Sequence, residues 1–171
     1  MSNGIFQQLL QTPLFAGLDE LESAVLFGIA DQQVVRQGAT LCNEGDPGDS
    51  LYVLLEGTVE VLKKDASGTQ QSLAKLARGA VIGEMSLLTE APRSASILAI
   101  TDLKLMRIPC SRFHRLLAED SLPALKVVRN LAQLLTKRLA GMSDRLVEVL
   151  DGGKRKEELV SFQRILTEWQ F

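Results

Sequence analysis

The chain has 171 residues, of which 46% are hydrophobic and 23% charged, enough apolar material for the core of one domain with a modest appendage. The formal net charge of −2 does not favour a general affinity for nucleic acid or for anionic membranes. The sequence has no apolar stretch long enough to span a bilayer and no signal peptide at its start, so we expect a cytoplasmic protein.

The N-terminal part, from residue 5 to about residue 30, has a helical pattern that Pro13 interrupts. Asp19 is a suitable N-cap for the second helical segment, whose apolar positions are Leu21, Val25 and Leu26. We therefore expect helices before the first strand.

The pattern changes between about residue 33 and residue 108, where short runs rich in valine, isoleucine and leucine alternate with turns. The runs are VVRQ, TLCN, SLYVLLEG, TVEVLKKD, QSLAKLA, SASILAI and LKLMRI. Many short strands separated by glycine turns predict a mainly β fold, an antiparallel sandwich or jelly roll with flanking helices.

Helix returns after Pro109, first as the short segment SRFHRLLAED and then as a long helix that begins near Pro123 and runs to about residue 150. Its apolar residues repeat every seven positions, which predicts a coiled-coil seam and a parallel homodimer. The seam consists of Leu125, Ala132, Leu139 and Leu146, each followed three positions later by Val128, Leu135, Met142 and Val149. The alternative is a helix that packs on its own β core, which needs only a broader apolar stripe.

These patterns predict three parts of the chain. Residues 1–120 form the jelly roll with its N-terminal helices, and residues 121–151 form the long helix. Residues 152–171 follow the glycines that end this helix and form a short amphipathic tail.

The cysteines and the single histidine do not form a recognisable catalytic or metal site. Cys42 and Cys110 are far apart in the sequence, and we expect reduced, buried thiols. His114 has no cysteine or carboxylate at metal-ligand spacing, so we expect a structural role for it. A nucleophilic pair of Cys110 and His114 has helical spacing but no third, orienting group. We therefore predict no metal and no enzyme.

The stretch VIGEMSLLTEAPRSASI, residues 81–97, interrupts an apolar run twice with polar residues. Arg93 can donate two parallel hydrogen bonds to an anion, while Ser94 and Ala95 add a hydroxyl and a closely approachable backbone. A short helix starting near GEMSLL would direct free N–H groups to the same anion. Glu84 is a poor phosphate ligand but a good acceptor for a ribose hydroxyl. A 3′,5′-cyclic nucleotide offers both groups; the alternative is a surface loop with solvated charges.

The longer segment RGAVIGEMSLLTEAPRSASI closely resembles the phosphate-binding cassette of cyclic-nucleotide-binding domains. Upstream, EGDPGDSLYVLLEGTVEV is similar to that family's strand–turn signature, which includes Gly45, Gly48, Asp49, Tyr52 and Gly57. TPLFAGLDELE and the long helix resemble the family's flanking helices, so the resemblance covers roughly residues 10 to 150. It implies an eight-stranded jelly roll that holds cyclic AMP or cyclic GMP, with helices that move on binding.

The resemblance also implies roles for single residues of the cassette. Glu84 takes the ribose 2′-hydroxyl, and Arg93 pairs with the cyclic phosphate. Ile82 stands where the family often has phenylalanine, and Ser94 resembles the catabolite-activator type, which favours cyclic AMP over cyclic GMP. The other implied ligand-binding residues are Gly83 for close approach, Met85 and Ser86 for backbone groups, and Ser94 and Ala95 beside the phosphate.

A cover for the base is the last implied part of the site. In the catabolite-activator type the long helix supplies this cover, with hydroxyl residues near its end. Aligning KRLAGMSDRL on that region places Met142 and Ser143 at the matching positions. The alternative is that Ser143 is a solvated residue near the helix end.

The expected function is cyclic AMP sensing by a homodimeric module that signals to an unidentified protein partner when its long helix rearranges. The residues after Gly152 are too few for the helix-turn-helix domain of related transcription factors, so we expect a stand-alone sensor or a piece of a longer chain. Two alternatives remain. One is a structural dimerisation protein with an empty or repurposed pocket, and the other is a DNA-binding regulator with an unrecognised reader.

Overall fold

Eight β-strands dominate the part of the chain that the structure describes. The computed structural model describes residues 9, 10 and 12–152, with side chains as far as residue 144. The strands are β1 (Asp31–Val35), β2 (Thr40–Cys42), β3 (Ser50–Glu56), β4 (Thr58–Lys64), β5 (Gln70–Ala77), β6 (Val81–Ile82), β7 (Ser96–Ala99) and β8 (Leu103–Pro109).

The strands form two four-stranded antiparallel sheets, with the orders β1-β8-β3-β6 and β2-β7-β4-β5. This arrangement confirms the predicted antiparallel jelly roll, and each predicted run overlaps a strand. The strand β6 did not stand out as a run because it has only two residues, although the family resemblance implied an eighth strand.

The main hydrophobic core contains side chains from both sheets. Tyr52, Leu54 and Leu105 come from the first sheet, while Val59 and Ile97 come from the second. Each of these side chains is at least nine-tenths buried, and burying a residue of this size stabilises the fold by about 1.5–3 kcal/mol. The two-residue period of the strands therefore explains why one face of each sheet is apolar.

Helices precede and follow the strands in the sequence, and one short helix lies between β6 and β7. They are a 3-10 turn (Pro13–Phe15), α1 (Glu20–Gly28), α2 (Glu84–Thr89), α3 (Cys110–Ala118) and α4 (Leu122–Gly152). Asp19 caps α1 as predicted, because its carboxylate accepts from the Glu22 backbone and the Glu22 carboxylate accepts from the Asp19 backbone. Of the apolar positions predicted in α1, only Leu26 is buried; Leu21 is 82% exposed.

Two polar side chains fasten the first turns of α4 to the N-terminal segment. The buried Asn130 amide donates to the backbone carbonyls of Leu14 and Ala16, both at 2.9 Å. The Lys126 ammonium donates to both oxygens of Glu22, at 2.6 and 2.7 Å, and this contact lowers the pKa of Glu22. The start of α4 is therefore held by hydrogen bonds as well as by apolar packing.

The heptad stripe of α4 is not the stripe that packs on the domain. As far as residue 144, the buried residues of the helix are Pro123, Ala124, Val127, Asn130 and Leu131. The predicted seam residues Leu125, Ala132, Leu139 and Met142 are exposed, and Val128 and Leu135 are half-buried. The side chains of Leu146 and Val149 lie outside the described residues, and the coiled coil stays a prediction.

The chain divides into two compact units between Leu131 and Ala132. Of the predicted amphipathic tail, residues 152–171, only Gly152 is described, as the end of α4, and the rest lies outside the described residues. Cys42 and Cys110 are free and buried, which confirms the expected reduced thiols. Among the helices of the described part, none has the length and apolar character that crossing a membrane requires.

Candidate functional site

We call residues 78–97 the cassette. Its strand β6 belongs to the first sheet and ends in a tight turn. Ile82 ends β6, pairs with Tyr52 of β3 and packs in the core. Gly83 then adopts a left-handed backbone (φ +87°) as the N-cap of α2. The chain therefore turns from a buried strand into a short helix within one residue, which places Glu84 at the first helical position.

Arg93 is the most unusual charged group in the described part of the chain, because only 5% of the residue is exposed. Its Nη2 donates to the backbone carbonyl of Ser50 at 2.8 Å. Its Nε and Nη1 are also buried but have no hydrogen-bond partner among the described residues. A buried cation with unpartnered N–H groups is costly unless an anion compensates it. Arg93 is therefore the candidate residue for binding an anion at this site.

The backbone around Arg93 is held from both directions by the loop between β2 and β3. The Gly45 amide donates to the Arg93 carbonyl at 2.8 Å, and the Arg93 amide donates to the Asp46 carbonyl at 2.9 Å. Because these bonds connect residues almost 50 positions apart, they hold the cassette against a loop that the sequence pattern alone does not place beside it.

Two glycines allow the cassette to approach its neighbours closely. A Cβ atom on Gly83 would overlap Nη1 of Arg93 and would lie 2.7 Å from the Ser50 carbonyl. A Cβ atom on Gly48 would overlap the side chain of Ser86. Both positions therefore need glycine for space, and Gly83 needs it for backbone conformation as well.

Asp49 lies between two arginines beside the cassette. Arg107 Nη2 donates to one of its carboxylate oxygens at 3.1 Å, and Arg93 Nη2 is 3.6 Å from the other. The Tyr52 ring lies near the same group, with its centroid 5.5 Å from Arg93 Cζ. Burial lowers the pKa of Arg107, but Asp49 and Tyr52 raise it, and the net change is upward.

A second ion pair supports the far end of the cassette. Lys63 Nζ donates to the backbone carbonyl of Ser94 at 2.7 Å and to the Glu44 carboxylate at 3.0 Å. The Lys64 amide donates to the other oxygen of Glu44. The pKa of Glu44 is lowered mainly by this backbone hydrogen bond and next by the one from the Lys63 side chain. The Ser94 backbone is therefore fixed while its side chain stays exposed.

The structure places the other predicted site residues along the same segment. Ser86 is buried, Glu84 and Ala95 are half-buried, and Met85 is exposed. Gly83 lies close to the Arg93 side chain, so the two polar parts of the cassette come together. Met142 and Ser143 belong to the second unit, and their position over the site stays a prediction.

Sequence reasoning missed part of this site. Asp49 and Tyr52 were noticed only as members of the strand–turn signature, without a role. Ser50 contributes a backbone carbonyl, which no side-chain pattern reveals, and Arg107 is one of several charged residues on strands. Their proximity depends on the register of β3 against β8, which pairs Tyr52 with Arg107.

The alternative nucleophilic pair has no support in the geometry. The Cys110 thiol donates to the Gly48 carbonyl at 3.5 Å, whereas His114 Nε2 donates to the Leu87 carbonyl at 2.7 Å. Burial raises the pKa of the Cys110 thiol, which disfavours the nucleophilic thiolate. The described residues contain no cluster of three or more side chains that could hold a metal ion.

The described residues thus form a β roll in which a glycine-dependent turn approaches a buried arginine. Residues 32–120 match the family model described as cyclic nucleotide-binding domain. The chain belongs to the cyclic nucleotide-binding domain family, which confirms the resemblance found in its sequence.

Individual relatives agree with this assignment. The chain is 38% identical over 109 residues to a cAMP-dependent protein kinase regulatory subunit of Aspergillus fumigatus, covering 64% of this chain and 26% of that protein. It is 35% identical over 132 residues to the Cyclic AMP receptor protein of Thermus thermophilus, covering 75% and 57%. A solved cyclic nucleotide-binding domain from Methylobacillus flagellatus superposes with a TM-score of 0.75 at 33% identity, covering 84% and 81%. The chain thus spans only part of the length of these two curated relatives.

The space requirement at Gly83 can be tested against a glycine that shares its backbone conformation. Gly68 also has a left-handed backbone (φ +85°), but no atom lies within 4 Å of a Cβ added there. Both substitutions to alanine have the left-handed penalty of about 1–2 kcal/mol. We expect Gly83→Ala to lose about 1–3 kcal/mol more unfolding free energy than Gly68→Ala, because the backbone carbonyl of Ser50 cannot move aside easily. Urea denaturation measures both variants, and equal losses would contradict the close packing at the cassette.

Proposed function

We propose that the chain binds a 3′,5′-cyclic nucleotide at the cassette, with cyclic AMP preferred and cyclic GMP as the alternative, and that it acts as a non-catalytic cytoplasmic sensor. The observation that carries this proposal is the buried Arg93, whose Nε and Nη1 lack partners among the described residues. A cyclic phosphate has one negative charge and two free oxygens, which suits a guanidinium of this kind. Family membership and relatives named for cyclic AMP support the choice of ligand.

In this proposal the remaining cassette residues bind the sugar and surround the phosphate. Glu84 accepts from the ribose 2′-hydroxyl, and Gly83 lets the ligand approach the turn. Ile82 supports the turn from the core. The residues that add backbone or hydroxyl donors are Met85, Ser86, Ser94 and Ala95.

Replacing Arg93 tests the proposed phosphate contact. We expect Arg93→Gln to raise the Kd for cyclic AMP at least about tenfold, because each lost charged hydrogen bond is worth about 1.5–3 kcal/mol. The ligand-free fold should remain, since the variant removes an incompletely compensated buried charge. Isothermal titration calorimetry and thermal unfolding measure the two effects.

The control for this prediction is Arg36→Gln, which removes an exposed arginine that pairs with Asp102 at the surface. This variant should leave the Kd unchanged, because the exposed pair contributes little to stability and Arg36 lies next to β1, outside the cassette. Unchanged affinity in Arg93→Gln would remove the basis of the proposed function.

The exposed heptad stripe of α4 supports the second part of the proposal, a homodimer. Four of its six described members are exposed, while Val128 and Leu135 are half-buried. We propose that a second copy of α4 packs on this row in parallel. Ligand binding at the cassette would then reach an unidentified protein partner through a rearrangement of α4, without nucleic acid or membrane as a partner.

Charged substitutions in the stripe test the dimer. We expect Leu135→Glu together with Leu139→Glu to give monomers that still bind cyclic AMP, because buried carboxylates in a seam are strongly destabilising. The matched control places glutamate on the opposite side of the helix, at the exposed Gln133 and Ala140. Light scattering should report dimers for this control and for wild type at tens of micromolar. A monomeric wild type would contradict the proposal.

Met142 and Ser143 are proposed to cover the base. The Ser143 hydroxyl donates to the Leu139 carbonyl at 3.1 Å, so its oxygen keeps lone pairs that can accept from the amino group of adenine. Guanine has a carbonyl oxygen at the corresponding position and gains no such bond.

We expect Ser143→Ala to reduce the preference for cyclic AMP over cyclic GMP by about 1 kcal/mol, one neutral hydrogen bond. Thr136→Ala is the matched control, because its hydroxyl donates in the same way to the Ala132 carbonyl at 2.8 Å. Competition titrations with both nucleotides measure the preference. The same ratio in Ser143→Ala and wild type would show that the base is read elsewhere.

A further inference from the structure

Asp49 is bound more closely by Arg107 than by Arg93. The Arg107 contact is a hydrogen bond of 3.1 Å, whereas the 3.6 Å separation from Arg93 exceeds hydrogen-bonding distance. The hydrogen bond of Arg93 goes instead to the Ser50 carbonyl, at 2.8 Å. The carboxylate next to the proposed phosphate site is therefore committed mainly to a different arginine.

The charges in this cluster leave one positive charge for a ligand. Two guanidinium groups and one carboxylate sum to a charge of +1, and a cyclic phosphodiester has a charge of −1. Without Arg107 the cluster would be neutral, with the Asp49 carboxylate as the nearest anion to Arg93. Asp49 is 64% exposed, so its side chain could rotate towards Arg93 at little cost.

We propose that Arg107 is a positioning residue of the cyclic-phosphate site. It keeps the Asp49 carboxylate paired, so that Arg93 stays available for the phosphate of the ligand. Arg107 does not touch the ligand and acts through Asp49. This inference rests on the proposed function, since it assumes that Arg93 binds a cyclic phosphate.

The partial burial of Arg107 strengthens this coupling. The side chain of Arg107 is 32% exposed and that of Asp49 64%, whereas both side chains of the surface pair of Lys104 with Glu56 are 56% exposed. Both pairs connect β8 to the β3 region, but water and salt screen the exposed pair more effectively. The Lys104 pair is therefore a matched control for the loss of a cation from β8.

Calorimetric titration of the full chain with cyclic AMP tests the proposal. We expect Arg107→Gln to raise the Kd roughly tenfold, because it removes a positive charge and releases Asp49 to compete for Arg93. Adding Asp49→Asn to this variant should return the Kd to within about threefold of wild type. A merely structural role for Arg107 does not predict this rescue, because a second lost contact would not repair a disturbed fold.

Two further variants complete the test. Lys104→Gln should leave the Kd unchanged, and Arg107→Lys should restore most of the affinity because the ammonium can still pair with Asp49. An unchanged Kd in Arg107→Gln, or no rescue by Asp49→Asn, overturns the role of Arg107 but leaves the proposed function intact. Failure of wild type to bind cyclic AMP overturns the proposed function and this inference together.

Discussion

The burial of the Arg93 guanidinium is the constraint on which the architecture of the site depends. A cation that is 5% exposed must be compensated, and the described protein groups satisfy only its Nη2. The close approach of Gly83 and the backbone hydrogen bonds from Gly45 and to Asp46 all keep the guanidinium where solvent cannot reach it. The remaining N–H groups are the basis of the proposed anion site, because a bound anion would accept the hydrogen bonds that these buried groups lack within the described residues.

The jelly roll provides the rigid frame for this arrangement. The strand β6 is only two residues long, but its pairing with β3 fixes where the chain turns into α2. At the other end of the cassette, Lys63 pairs with Glu44 and donates a hydrogen bond to the carbonyl of Ser94, just before β7. The cassette is thus a short segment between two anchored strands, and a ligand needs to order little of the chain on binding.

The long helix combines two apolar stripes with different roles. One stripe packs on the first unit and is reinforced by Asn130 and Lys126, which bind the N-terminal segment. The other stripe follows the heptad, and most of its described residues are exposed on the single chain. A helix of this kind can stay attached to its own domain at one end while it offers a second surface to another copy. This is the physical basis of the proposed route from ligand to partner.

The sequence by itself determined most of the secondary structure, the class of fold and the position of the cassette. Glycine turns, two-residue alternation and heptads are local signals, so they identified every strand except the two-residue β6, together with the Asp19 cap and the long helix, without any knowledge of packing. Only the tertiary structure decided which groups surround Arg93. Ser50 is 43 residues away in the sequence, and Asp49 meets Arg107 across 58 residues through the register of β3 and β8. Alternation tells which face of a strand is buried but not which residue lies opposite, so neither the role of Asp49 nor that of Arg107 could be read from the pattern. Packing also decided the burial of Leu21. The local pattern placed Leu21 among the apolar positions of α1, but the tertiary structure leaves its side chain exposed.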